Sequence, residues 1–194
     1  RVEHLLLSGV AVSFMLGAFT SLVVYYSDPE TASTLLFWMM GSFSNSNWID
    51  LLLPLITIVI GLALFVIYRR WINAIQAGDE GAFTLGIPVN QLRLAMLLIC
   101  SIITAVLVAQ VGGIGFVGLM IPHIVRWFGF TRMSTLIPAV LIAGGLLLLW
   151  VDVIARTSIE NQEIPLGVIT SACGSLFFLL ILKKKRIQYW STAT

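Results

Sequence analysis

The chain has 194 residues, with Lys+Arg 11 against Asp+Glu 9 for a formal net charge of +2, and is 59% hydrophobic and only 10% charged. Soluble domains run at about 45–50% apolar and about 25% charged, so a water-soluble globule of this size is excluded, as is intrinsic disorder. The small net charge leaves no footprint for nucleic acid, and the chain reads as a single membrane domain over residues 1–194.

Arg1 rather than Met stands first, and no basic segment precedes a short apolar stretch with a small-residue cleavage site. A piece of a longer protein without a signal peptide is therefore expected. A membrane-spanning helix needs about 20 mostly apolar residues. Runs without charge predict spans at 5–26, 50–68, 93–111, 114–128, 135–156 and 165–182. The third and fourth come from one uncharged run, 94–125, too long for a single helix and divided by Gly112, Gly113 and Gly115. Residues 31–49 are also uncharged, but Gly41 and the Ser42–Asn47 run make them a poor span. Leu35, Leu36, Trp38, Met39 and Met40 instead suit a short interfacial helix, and Trp48 and the pair Tyr25–Tyr26 suit an aromatic belt. No strand is expected, because alternation is absent and only helices or closed barrels satisfy a backbone in lipid. Cys100 and Cys173 lie in apolar runs, where small buried thiols without a disulfide are expected.

Orientation follows from Lys and Arg. Placing the N-terminus, a 69–92 loop, the 129–134 turn and the C-terminal tail on one side collects every basic residue except Arg156 there. That side is expected to be cytoplasmic, with both chain ends inside. The outer side holds Asp28, Glu30, Asp50, Glu160 and Glu163.

Three segments could carry function. The inner 69–92 loop contains Gly78-Asp79-Glu80-Gly81-Ala82-Phe83-Thr84-Leu85-Gly86, two acids on an otherwise basic side. It reads either as a solvated connector or as short helices docking on a cytoplasmic partner, with the acids pairing in a basic cleft. The segment Gly113–Arg126 combines Gly115 and Gly118, which permit close helix approach, with Pro122, which frees a carbonyl inside the membrane. Its His123 is either a neutral, hydrogen-bonded interface histidine or an intramembrane functional group, and Arg126 can snorkel to the inner surface. Asp152 and Arg156, four apart on one helix face, read as a local ion pair. Arg156, the lone outer cation, could also receive an acidic residue from an external partner. Pro165 suits the first turn of the last helix. No GxxxxGK[ST] sequence, HExxH sequence, Ser/His/Asp grouping or paired intramembrane carboxylates is present. ATP binding through a P-loop, intramembrane proteolysis and proton pumping thus lack support, and no Cys/His pair has metal spacing.

These segments together resemble the FecCD-type permeases, the membrane subunits of type II ABC importers for ferric siderophores, haem and vitamin B12. The resemblance rests on Leu5–Ala11, Phe37–Phe43, Gly78–Gly86, Ile114–Leu119 with Ile121-Pro122-His123 and Arg126, Asp152 with Arg156, and Glu163-Ile164-Pro165-Leu166-Gly167. It covers nearly the whole chain, in order. It implies an all-α membrane fold of which this chain carries the last six of ten spans, in the inner membrane of a prokaryote. It also implies an ATP-binding subunit dimer, an extracytoplasmic substrate-binding protein and a second permease copy as partners. Gly78, Asp79, Glu80, Ala82, Leu85 and Gly86 would then form the coupling element that docks on the ATPase. Arg156 would pair with a glutamate of the binding protein, and the first span would line the pathway at the dimer axis. The 31–41 segment would be a short outer helix.

Three places depart from the family pattern. Gly81 and Phe83-Thr84 stand where alanine and a basic–serine pair are frequent. Phe130–Met133 lacks an acid-His-Arg sequence, and Leu176 replaces a frequent proline. The resemblance implies no catalytic residue, no metal and no cofactor in this chain, which is then not an enzyme: ATP hydrolysis belongs to the separate subunit. The function expected is import of an iron chelate by alternating access, with a ferric siderophore as default cargo and haem or cobalamin open. The alternatives are a secondary transporter or channel subunit powered without ATP, and a non-transporting scaffold.

Overall fold

A computed structural model of the chain describes residues 2–44, 46–160 and 162–191. Arg1 and Asn45 lie outside the described residues, as do the side chains of Lys184, Lys185 and Arg186. The described residues form helices and no strand: α1 Val2–Tyr26, α2 Pro29–Met39, α3 Leu52–Ala77, α4 Asp79–Thr84, α5 Val89–Val111, α6 Val117–Trp127, α7 Met133–Thr157 and α8 Leu166–Ser191. They divide into two compact units, Arg1–Met39 and Met40–Thr194.

In the first unit α1 is apolar on every face, and its side chains are exposed almost throughout. The short helix expected after it is α2. Asp28 caps its N-terminus: one carboxylate oxygen accepts the Thr31 amide at 3.0 Å and the other the Thr31 hydroxyl at 2.8 Å. Pro29 at the first helical position and Glu30 in the first turn complete a start signal that needs no tertiary support. The two hydrogen bonds hold the Asp28 carboxyl below its usual range.

Among the described residues the second unit holds four helices long and apolar enough to cross a membrane, and the first unit holds one. These are Leu6–Tyr26, Leu52–Ala77, Val89–Val111, Met133–Thr157 and Leu166–Lys183, at mean hydropathies of 2.0 to 2.6. The expected span 114–128 is not a sixth full helix. Gly112–Phe116 is non-helical, and α6 has 11 residues, about 16 Å at 1.5 Å per residue against a hydrocarbon core of about 30 Å.

The chain nevertheless crosses there. The Ser42 amide donates to the Val111 carbonyl at the end of α5, and Ser44 reaches Glu163 beside Arg156 at the end of α7. The C-terminal ends of α5 and α7 therefore share one end of the bundle. The 25 residues of α7, about 37 Å of helix, place its start at the other. Residues 112–132 must bridge that distance, part extended and part helical. Glycine is the reason: Gly112 has φ 74°, which side chains rarely adopt.

A second difference lies at the Arg-rich end. No Gly or Pro interrupts the chain between Gly61 and Gly78, so α3 continues past Arg69 and Arg70 to Ala77 and the expected 69–92 loop shrinks to the stretch around α4. Gly61 is buried against Ile103, which sets the close approach of α3 and α5. α8 runs without interruption through Leu176, the position where the family pattern frequently has proline. Cys100 and Cys173 are free thiols but are exposed, not buried.

Three backbone segments meet at the acidic end. The first two amides of α8 donate to the 40–41 loop, Leu166 to the Gly41 carbonyl and Gly167 to the Met40 carbonyl, both at 2.9 Å, and Ser42 donates to Val111 at 2.9 Å. Helix-terminal amides have no partner within their own helix, so α8 is capped by a remote loop. A Cβ on Gly41 would stand 2.8 Å from the Gly113 carbonyl oxygen, and one on Gly167 would overlap the Met40 and Gly113 carbonyls. Around this junction Val151, Ala155 and Leu166 form a buried cluster with Phe43, Ile114, Leu147 and Ile169 packed on it.

Candidate functional site

At the Arg-rich end, Gly78 adopts φ 139°, ψ 141°, open to glycine alone at low cost, and so parts α4 from α3. The six-residue α4 is seated by Ala82, wholly buried, which clusters with Ile87, Val89 and Leu92 against Tyr68, Ala74, Ile75 and Met96. Gly86 (φ 74°) turns the chain back, and the Ile87 amide donates to the Ala82 carbonyl at 3.1 Å. Arg93 on α5 donates from Nη2 to both carboxylate oxygens of Asp79, at 3.1 and 3.2 Å. Glu80 is exposed, and so are Phe83 and Leu85, at 55% and 73%.

The six residues expected to couple therefore divide. Ala82 cannot touch a partner and acts as the seat. Gly78 and Gly86 shape the element, Asp79 ties it to α5, and Glu80 and Leu85 project. Phe83 joins the projecting set, and Arg93 is the tie. Neither was singled out for this role from the sequence. Arg93 stands 14 residues from Asp79, a separation no local pattern marks. An acid with two apolar side chains on a rigidly seated element can dock on a partner surface.

At the acidic end the expected pair forms: Arg156 Nε donates to Asp152 Oδ2 at 2.9 Å. Arg156 Nη1 also lies 3.6 Å from Glu163 Oε1, and the other Glu163 oxygen accepts the Ser44 hydroxyl. Side-chain exposure is 44% for Arg156, 43% for Glu163 and 26% for Asp152. The guanidinium is thus half exposed but already engaged by two carboxylates. The sequence marks Glu163 as an outer acid and as the start of the Glu163–Gly167 segment, but not as a partner of Arg156; its link to Ser44 spans 119 residues.

Between the two ends lies α6. His123 faces Trp127 on its own helix and Phe177 on α8, with ring centroids 6.0 and 6.5 Å apart. It sits half-buried in an aromatic group on α6 and α8. Pro122 lies inside the helix, and Arg126 is exposed in its last turn. Within this chain Gly118 faces open space, and a Cβ on Gly115 would meet Ser171 Oγ at an ordinary 3.5 Å. The tight glycines are Gly41, Gly61, Gly167 and Gly174. Among the described residues no three His, Cys, Asp or Glu side chains are grouped so as to hold a metal ion.

The comparisons agree on where the chain belongs. The FecCD transport family matches residues 1–184. The chain is similar to a cobalamin import system permease protein of Halobacterium salinarum, 39% identical over 95% of this chain and 49% of the relative. It is 35% identical to a hemin transport system permease protein of Yersinia pestis, over 97% of this chain and 56% of the relative. It thus spans about half the length of the curated relatives it matches. A solved chain assigned to an inward-facing conformation of a metal-chelate type ABC transporter superposes with a TM-score of 0.84 at 31% identity, over 91% of this chain and 57% of that one. The fold is that of an ABC importer permease, and the chain is a multi-pass protein of the prokaryotic cytoplasmic membrane. With this helical architecture, these spans and this match over nearly its whole length, the chain belongs to the FecCD transport family.

Proposed function

We propose that the chain forms part of the membrane-spanning permease subunit of an ATP-driven importer that moves an iron chelate inward by alternating access. A ferric siderophore is the cargo class we favour. Haem and cobalamin are the cargoes named for the two relatives above. The partners are an ATP-binding subunit dimer, an extracytoplasmic substrate-binding protein, and a second permease copy, identical or related. The Arg-rich end is cytoplasmic by the positive-inside bias, and no residue of this chain hydrolyses ATP.

The observation that carries the reading is α4. A six-residue helix with no membrane task of its own is anchored by buried Ala82 and the Asp79–Arg93 pair, yet presents Glu80, Phe83 and Leu85 outward. A rigid seat with an exposed mixed face suits the transfer of motion from an attached ATPase to α3 and α5. ATP-driven closure of the ATPase dimer would push α4 and bias the helices between outward- and inward-open states. At the other end, Arg156 supplies a cationic contact for the binding protein.

The test is gentle detergent purification of the full-length gene product, with bound proteins identified by mass spectrometry. Recovery of an ATP-binding subunit and a solute-binding protein is expected, and the latter can then be screened with ferric siderophores, haem and cobalamin. Recovery of the permease alone, with uptake indifferent to ATP, overturns the reading.

A further inference from the structure

Arg156 is not waiting free for a partner. Its Nε is held by Asp152, one turn earlier on the same helix, at 2.9 Å, and its Nη1 lies 3.6 Å from Glu163. The two contacts differ in kind. Asp152 is the less exposed carboxylate, local in sequence and at full hydrogen-bond distance. Glu163 lies on the loop before α8, is 43% exposed, and makes a longer, looser contact.

The backbone beside Glu163 is fixed, because the Ile164 amide donates to the Ala155 carbonyl at 3.2 Å and the next amides but one to Gly41 and Met40. The backbone from which the Glu163 side chain reaches Arg156 is therefore anchored. The Ser44 hydroxyl donates to the other carboxylate oxygen, so Glu163 keeps a hydrogen-bond partner when it leaves the guanidinium.

We propose that Glu163 is an intramolecular competitor for Arg156: an acidic side chain of the extracytoplasmic binding protein docks by displacing Glu163, which falls back on Ser44, while Asp152 keeps the guanidinium aimed. Glu163 is then a residue that sets the affinity of the docking surface without belonging to the docked contact. The inference rests on the reading of Arg156 as a binding-protein contact. An exposed ion pair is weak and replaceable, which is what an exchange contact needs, and the competitor lowers docking affinity without abolishing it.

The experiment measures affinity of the purified binding protein for the full-length transporter, assembled with its ATPase subunits in nanodiscs. Arg156→Ala is expected to weaken docking. Glu163→Gln, which keeps the shape and removes the charge, is expected to tighten it about threefold, the scale of an exposed pair. Glu163→Asp, which keeps the charge but shortens the reach, is expected to tighten it less. Glu160→Gln removes a charge from the same loop without touching the contact. It is expected to change affinity less than Glu163→Gln, and to lose its effect at high salt.

Unchanged affinity in Arg156→Ala overturns the docking reading and the proposal together. Weakening in Arg156→Ala without tightening in either Glu163 variant leaves that reading standing and overturns the competition. Equal tightening by Glu160→Gln and Glu163→Gln also overturns it, because the effect would then be general charge.

Discussion

Phe116 lies over the buried Gly174 of α8, so close that a Cβ on the glycine would overlap the phenylalanine side chain. Phe116 is also the one non-glycine with positive φ among the described residues, at 66°, a conformation that costs a bulky residue about 1–3 kcal/mol. The two facts belong together. The strained residue caps the start of α6 and aims its ring into the space the glycine leaves, 6.2 Å from the ring of Phe178. Gly174→Ala is expected to destabilise the protein by about 1–3 kcal/mol through overpacking, read as a lower Tm in detergent. Phe116→Gly in the same chain should recover part of the loss, a non-additivity expected of residues in contact. Strict additivity would refute the pairing.

The junction of Gly41, Gly113 and Gly167 makes a second prediction. Gly167→Ala places a Cβ against two backbone carbonyls, which cannot swing aside as a side chain can. The amides of Leu166 and Gly167 should lose their partners, at about 0.5–1.5 kcal/mol each. Hydrogen exchange should accelerate at both amides and at Ser42, which holds the neighbouring bond to Val111. Unaltered protection at all three would contradict the junction.

At the start of α2 the sign of the pH dependence follows from Asp28. Its carboxyl is held below the usual range by the Thr31 amide and hydroxyl. The stabilisation is present above the ordinary carboxylate pKa, near 3.9, and is lost as pH falls through the lower value of the folded protein. Acidification should therefore fray α2 from its N-terminus, while Asp28→Asn keeps a cap that does not titrate. A carboxyl resonance titrating at the ordinary value would remove the argument.

The seat of α4 can be tested apart from its outer face. Ala82→Leu forces a larger side chain into a wholly buried position and should cost about 1–3 kcal/mol while displacing the helix. Glu80→Lys alters only an exposed charge. It should leave stability unchanged within about 0.5 kcal/mol yet uncouple uptake from ATP hydrolysis in the full-length protein. Normal uptake with Glu80→Lys would count against a role for that charge.

The Asp79–Arg93 pair is about half exposed on both sides, so its contribution to stability is small, about 0–1 kcal/mol. Arg93→Ala should barely shift Tm but raise the mobility of α4, seen as faster hydrogen exchange at Ala82 and Leu85. The charge-swapped double variant should restore protection. Equal exchange in all three proteins would show that apolar packing alone seats the helix.

Much of the fold was legible because lipid imposes simple rules. Charges bound the long spans, and the glycines of 112–115 marked a break. The i,i+4 spacing of Asp152 and Arg156 foretold their pair. What stayed hidden has physical causes. The continuation of α3 past Arg69 was missed because a helix need not stop where the membrane does. The start of α6 at Val117 rather than residue 114 was not legible, because apolarity says where a segment lies, not whether it is helical. Contacts such as Ser44 with Glu163 join residues 119 apart and leave no periodic trace. Ala82 shows the limit within the candidate site: its place in a motif was visible, but whether it faces a partner or the core was not.

The fastening of the acidic end has a consequence for how the protein tolerates sequence change. Met40, Gly41, Val111, Leu166 and Gly167 are joined through main-chain groups, which every residue but proline carries in full. Apart from the glycines that the close approaches require and the buried cluster around Leu166, exposed side chains near this junction can be exchanged without unfastening it. The surface proposed above to meet a binding protein is thus free to diversify at its exposed positions while its frame stays the same.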